Sequence, residues 1–505
     1  MKKMLFIAAA VLCAAFQPAR PALSRIVTPD EARLVAGNYI TLVVNGAGSW
    51  GGTPVASVAE IEELRRDGRL LGYWCHVEPA GHVIVSIHSE LSPVKASSET
   101  WDGDPSCDAD IVDVIKLKIE QEHDYIESRL GPIEAAPDEA VALLLEYSSR
   151  DAWALLTGRS EDLGAALAAD EALADYQEGM VLLTTNWHQG DPYNLYMPPN
   201  PACSAFNGHR CAAGCTALGA TQIMKYWDWP PYGMGSPYDD YYYWTFMPDE
   251  LAPSSPFEQI NPVAVLIAEI GQACLMDYCM DDGCGSGAFH ADMLAAYKAY
   301  FRFHTSALIV TRLSCTSETW FDLIRTNLDQ NMPLQYEVPN HSVVCDGWRI
   351  VSTIRQYHMN YGWANYVPDD EACWAPYLGT GSNTWFTLDL LPCPDLSVEN
   401  VITFLCPAVS LGQNLSGTYT TSPSFPWRYV NVDAAGEDAL FQAGQMIQSL
   451  ADKTLRCTSA SGGAIRFYGA PAQHTRLFKE GDTSRGILVT DGAMVLYGGG
   501  GIHLH

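Results

Sequence analysis

The first apolar stretch runs from Leu5 to Phe16, after Met1-Lys2-Lys3-Met4 and before polar, Pro-containing sequence. A basic start followed by a short apolar core is an export-signal pattern, too short to span a membrane, with cleavage expected near Ala15 to Ala22. Thr28-Pro29-Asp30-Glu31 then has the form of a capping box, and Ala32, Val35, Ala36 and Tyr39 follow at helical spacing, which predicts a helix. Leu71-Gly72-Tyr73-Trp74 and Val83-Ile84-Val85-Ser86-Ile87, with Pro79-Ala80-Gly81 between them, predict a β-hairpin. From Pro132 to Met180 the chain is rich in Ala, Leu, Glu and Asp and reads as a helical connector open to cleavage. Ala220, Ile223, Met224 and Trp227 mark a further helix that Pro230-Pro231 stops. Two strand-like runs follow, His341 to Cys345 and Gln356 to Tyr361, with Asp346-Gly347 as the expected turn after the first. Beyond Leu396 short β-like runs, such as Ala464 to Tyr468 and Ala493 to Tyr497, alternate with Gly, as in a sandwich or a solenoid.

A chain of 505 residues has room for several cores, and 48% hydrophobic with 17% charged residues indicates a globular protein. Twenty-nine basic against 59 acidic side chains leave a formal charge of −30, which repels phosphate backbones and anionic lipid. Nucleic acid is thereby a poor partner, and no later stretch is apolar for long enough to form a transmembrane segment. Fifteen cysteines, one of them in the signal, make disulfides plausible after export. Close pairs such as Cys203/Cys211, Cys279/Cys284 and Cys373/Cys393 could staple loops, although spacing does not fix connectivity. A zinc site of Cys203, Cys211 and Cys215 lacks the usual ligand spacing.

The chain has no G-x-S-x-G, H-E-x-x-H or P-loop motif, which removes serine-elbow, zincin and nucleotide-phosphate chemistry. What remains is Cys215 in the first turn of a predicted helix, where the helix N-terminus favours thiolate and Gly214 leaves room for a substrate. The bland reading of such a cysteine in an exported chain is a disulfide or a buried thiol. His341 lies on a strand face with Val343 and Cys345 and could serve as its base. Antiparallel pairing of the two runs could bring Asn360 near His341, with its side-chain oxygen accepting the imidazole N–H and Trp363 as a shield. Gln189, in Trp187-His188-Gln189-Gly190-Asp191-Pro192-Tyr193-Asn194, could donate to an oxyanion together with the Cys215 N–H. Each of these side chains also has an ordinary structural reading.

Taken together, these segments resemble the streptopain-like secreted cysteine peptidases, papain-like zymogens. The resemblance rests on Trp187-x-Gln189-x-x-Pro192-Tyr193-Asn194, on Gly214-Cys215-x-Ala217-x-x-Ala220-x-Gln222-Ile223-Met224-Lys225-Tyr226, and on Gly233-x-Gly235-Ser236. Further matching blocks are Met276-Asp277-Tyr278 with Gly285-Ser286-Gly287, His341 with Asp346-Gly347, and His358-x-Asn360-x-Gly362-Trp363. It implies Cys215 as nucleophile, His341 as base and acid, Asn360 as orienting residue and Gln189 as oxyanion donor. Ser286, Gly287 and Trp363 would line the substrate cleft. Asn340 departs from the pattern, in which Gly usually precedes the histidine.

The expected fold is α+β: a papain-like cysteine peptidase unit preceded by a small α+β propeptide and followed by an all-β C-terminal domain. The expected organisation is signal peptide 1–22, inhibitory propeptide 23–130, helical connector 131–180, peptidase 181–395 and Gly-rich all-β domain 396–505. The expected function is that of a secreted or periplasmic endopeptidase made as a zymogen, acting on proteins or peptides and inhibited by its own propeptide. It needs no metal and no organic cofactor. The alternatives are an exported binding or adhesion protein with a relic peptidase unit, and a thiol-dependent amide transferase.

Overall fold

The computed structural model describes residues 25–362, with breaks at 107–109, 146–147, 159–174 save Leu163, 204–207, 231, 241, 281–282 and 339–340. It also describes 384–386, 399–406 and, as strands alone, segments between 417 and 504. The signal-like segment, Asn340, Trp363 and the Cys373/Cys393 pair lie outside the described residues.

Helix α1 (Pro29–Ala47) starts at the predicted box: the Thr28 hydroxyl accepts from the Glu31 N–H, and the Glu31 carboxylate accepts from the Thr28 N–H. Its apolar face, Val35, Ala36, Tyr39, Ile40 and Val43, is buried with residues of an antiparallel meander. The meander consists of β1 (Ser57–Arg66), β2 (Arg69–Glu78), β3 (His82–Ser86) and β4 (Val94–Ser98). The predicted hairpin is β2–β3. Helices α2 (Asp110–Leu130), α3 (Asp138–Leu145) and α4 (Arg150–Leu156) and the short strand β5 (Tyr176–Glu178) follow.

The next part of the chain supplies α5 (Cys215–Trp227), α6 (Phe257–Ala273), α7 (His290–Ala299), β6 (Leu308–Thr311), α8 (Ser317–Asp329), β7 (Leu334–Val338), β8 (His341–Val351) and β9 (Ile354–Asn360). Strands β10 (Thr384–Phe386) and β11 (Asn400–Thr403) complete one antiparallel sheet, in the order β1-β2-β3-β4-β10-β9-β8-β7-β11-β6 with β5 on β8, and with the helices it makes the fold α+β. Helix α5 is buried along nearly its whole length and packs on β8 and α6.

The sheet is continuous from the N-terminal meander into β8 and β9, and a buried polar cluster reinforces the junction. Arg349 of β8, 0% exposed, donates to Glu99, Tyr39 and Ser97 and to Gln356 of β9. A second tie is the ion pair of Lys118 on α2 with the buried carboxylate of Glu399, 2.8 Å apart.

Two expectations need correction. Strand β8 does not turn at Asp346-Gly347 but runs on to Val351, with a register shift between Cys345 and Gly347. The Asp346 carboxylate accepts from the Leu183 N–H and pairs with His358, so its side chain is consumed inside the sheet instead of capping a turn. Among the described residues the disulfides are Cys203–Cys284 and Cys211–Cys279, crossing between two loops where the close-pair reading joined neighbours within each. In the C-terminal region, Gly417–Tyr419, Ala439–Phe441, Ala464–Tyr468 and Ala493–Tyr497 form one parallel ladder, flanked in chain order by two others. Among the described residues no helix is long and apolar enough to cross a membrane.

Candidate active site

Cys215 is the first residue of α5 and is half-buried with a free thiol. Gly214 precedes it at φ +89°, and a Cβ there would lie 2.5 Å from the Met276 sulfur and 3.3 Å from the Ser286 carbonyl. Only glycine fits this entry to the helix. The two disulfides tie the loop that enters α5 to the loop that carries Ser286 and Gly287. The same two loops are joined by the Ser286 hydroxyl donating to the Ala212 carbonyl at 2.8 Å. Asp277 and Gly287 exchange backbone hydrogen bonds of 2.9 and 3.0 Å across the base of the second loop. Ser286 and Gly287 therefore stand beside the start of α5, with Met280 over Gly287.

Gln189 is half-buried, and its carbonyl accepts from the Ala213 N–H at 2.9 Å, which sets its segment alongside the approach to Cys215. His188 stabilises this turn: its Nδ1 accepts from the Gly190 N–H, and its ring meets Tyr193 edge-on. Burial pushes His188 down to about 3, so it is a neutral packing group.

The opposite wall is the start of β8. Ser342, next to His341, donates its backbone N–H to the Cys215 sulfur at 3.3 Å. His341 is buried and its Nε2 lies 2.8 Å from the Tyr361 carbonyl; a carbonyl can only accept, so Nε2 carries the proton and Nδ1 is the basic nitrogen. Asn360 pairs with Val344 in the β8–β9 ladder. Its side-chain oxygen accepts from Gln222 of α5 at 3.2 Å and from the Gly362 N–H at 3.0 Å, and its amide donates to the Thr185 carbonyl. The acceptor expected of Asn360 is thus supplied to His341 by Tyr361, while Asn360 binds α5, β9 and the Thr185 segment together.

Burial raises the Cys215 pKa, opposed by the hydrogen bond from the Ser342 N–H. Burial lowers His341 to about 4, opposed by the bond to Tyr361. Both shifts favour neutral thiol and neutral imidazole over a thiolate–imidazolium pair. Sequence reasoning gave no role to Ser342, Tyr361 or Gln335, and it quoted Gln222 only as part of a motif. Gln335 left one trace, a polar residue between the apolar Leu334 and Tyr336, and all three are buried at the start of β7.

Residues 187–367 match the Peptidase C10 family. Over this stretch the chain resembles the streptopain-like cysteine peptidases. Its similarity to the thiol protease/hemagglutinin PrtT of Porphyromonas gingivalis is 25% identity over 268 residues, 46% of this chain and 29% of that protein. To streptopain of Streptococcus pyogenes it is 27% over 207 residues, 35% of this chain and 50% of that protein. The chain therefore spans half or less of the length of these relatives. Among solved structures, prointerpain A of Prevotella intermedia is 22% identical with a TM-score of 0.48, over 68% of this chain and 97% of that one. Active interpain A from the same organism is 25% identical with a TM-score of 0.33, over 45% and 92%. Within the Peptidase C10 match lie Cys215, His341, Asn360, Gln189, Ser286, Gly287 and Trp363.

Proposed function

We propose that the protein is an exported cysteine endopeptidase made as an inactive precursor, with proteins or peptides as substrates. Residues 23–130 would be its inhibitory N-terminal unit, 181–395 its peptidase unit and 396–505 an all-β appendage. The observation that carries this reading is the meeting of α5 and β8, where a free thiol at a helix N-terminus receives the N–H of the residue next to His341.

In the reaction, the Cys215 sulfur attacks the scissile carbonyl carbon, and its proton passes to His341 Nδ1. Gln189 and the Cys215 N–H receive the oxyanion. The C–N bond breaks as His341 returns the proton to the leaving amine, and water then hydrolyses the thioester. Disulfides among the described residues support an oxidising destination, extracellular or periplasmic. The precursor reading is supported by the neutral thiol and imidazole and by the Arg349 cluster, which couples the N-terminal helix to the strand that begins at His341. Activation would loosen that coupling and allow the imidazole and the sulfur to exchange a proton.

The test is incubation of the purified precursor with casein and a thiol-directed inhibitor, beside Cys215→Ala. Self-processing and casein cleavage by the wild type alone are expected. Incorporation of an amine without cleavage would replace the peptidase reading with acyl transfer, and an unreactive Cys215 would remove both.

A further inference from the structure

A buried polar chain behind Cys215 has a direction that its end groups dictate. Asn400 donates its amide to the Glu337 carboxylate, so its oxygen faces His290 and accepts from Nδ1 at 2.8 Å. His290 Nε2 is then the bare nitrogen, and it accepts from the Ser342 hydroxyl at 2.8 Å. That hydroxyl accepts in turn from the Gln335 amide at 3.1 Å, and the same amide donates to the Thr216 carbonyl at 2.8 Å. The Gln335 oxygen accepts from the Tyr297 hydroxyl at 3.1 Å. Burial pushes His290 down to about 4, which keeps the ring neutral, as this pattern of donors and acceptors requires.

Gln335 thereby joins Thr216, the residue after the nucleophile, to Ser342, the residue after the imidazole. A hydrogen bond to sulfur favours the thiolate only while its donor stays in line, and here the donor belongs to a strand end that the clamp holds. We infer that Gln335 and Ser342 are positioning residues for the Cys215 thiol: their side chains hold the Ser342 N–H on the sulfur and so set the ease with which it ionises. This rests on reading Cys215 as the nucleophile, but it concerns the sulfur and not the substrate. Besides the neighbouring His341, the charged and titratable groups around the clamp are His290 on α7, Glu337 on β7 and Tyr297 on α7. Cys274, following α6, is fully buried with its thiol pushed up to about 12, so the reference thiol is Cys315, half-buried and free between β6 and α8.

The test is the pH profile of iodoacetamide alkylation in the full-length chain, read for each cysteine by mass spectrometry of its peptide. Ser342→Ala and Gln335→Leu, which break the clamp from opposite ends, should raise the Cys215 midpoint by about half to one pH unit. Ser342→Thr, which keeps the hydroxyl, should restore it to within about 0.2 unit. The Cys315 midpoint should stay in place in all three. A Cys215 midpoint unmoved in both breaking variants, a Ser342→Thr shift as large as that of Ser342→Ala, or an equal shift at Cys315 would each overturn the inference. Casein cleavage is followed on the same samples. A wild type that alkylates as expected but cleaves nothing counts against the peptidase reading and leaves the clamp standing.

Discussion

Arg349 on β8 donates through Nη2 to the phenol oxygen of Tyr39 on α1, 2.9 Å away, and both side chains are fully buried. The phenol donates its own O–H to the side-chain oxygen of Gln356 on β9 at 2.6 Å. The N-terminal helix and the central strands that carry His341 and Asn360 thus share one set of hydrogen bonds, which neither completes alone. Tyr39→Phe removes the shared oxygen and leaves a buried guanidinium short of an acceptor. A loss of about 1–3 kcal/mol in the urea unfolding of the full chain is expected. In a processing assay, the same variant should mature faster than wild type.

Acid should loosen the N-terminal part of the chain. Burial holds His82 at about 3 and His88 at about 4, and it holds His123 well below the usual histidine range. The His88 and His123 rings meet edge-on at 4.8 Å beside the buried Lys95–Glu122 pair. Each folded-state pKa lies below the unfolded value of about 6.5, so the unfolded chain binds more protons between the two. The stability these rings contribute is complete above about pH 6.5 and declines as pH falls toward 4, by on the order of 1–2 kcal/mol per ring at pH 5. Urea midpoints for Cys215→Ala at pH 7 and pH 5 measure the slope. His123→Phe should flatten it, and an unchanged slope in that variant would remove His123 from the account.

Reducing agent should have two opposed effects. It keeps Cys215 as a thiol, but it also opens Cys203–Cys284 and Cys211–Cys279, which close loops of sequence separation 81 and 68. Each link is worth about 2–4 kcal/mol. Peptidase activity should therefore rise at low thiol concentration and fall at high concentration, together with a lower Tm. The double replacement Cys203→Ser with Cys284→Ser should reproduce the lower Tm without any reductant.

Gly214→Ala should be more damaging than its size suggests. The added methyl would be strained at φ +89° and would press on Met276, displacing the wall formed by Ser286 and Gly287. A loss of about 1–3 kcal/mol in stability is expected. A drop in kcat/KM larger than the fall in folded fraction would show that the wall has moved against Cys215.

Much of this was legible where the signal is local. The capping box at Thr28 and Glu31 sits within one turn, and the stripe of Ala220, Ile223, Met224 and Trp227 needs only its own helix to be read. Helix α2 was not legible, because its Lys118 and Glu122 look solvent-facing in sequence and are buried by partners elsewhere, Glu399 and Lys95. Asp346-Gly347 carried the composition of a turn, yet contacts with Leu183 and His358 override it. At the site, residue types pointed to Cys215 and His341, whereas the carbonyl of Tyr361 and the N–H of Ser342 are main-chain groups that no side-chain motif encodes.

Strand β10 is hydrogen-bonded on one side to β9 and on the other to β4, Trp385 opposite Ser97. If maturation discards the meander, that second row of donors and acceptors loses its neighbour and becomes an open rim, a template for any extended chain that reaches it. The discarded piece, a replacement segment and a neighbouring molecule would all compete for the vacancy, so the mature form should be most prone to self-association at the seam where its precursor was whole.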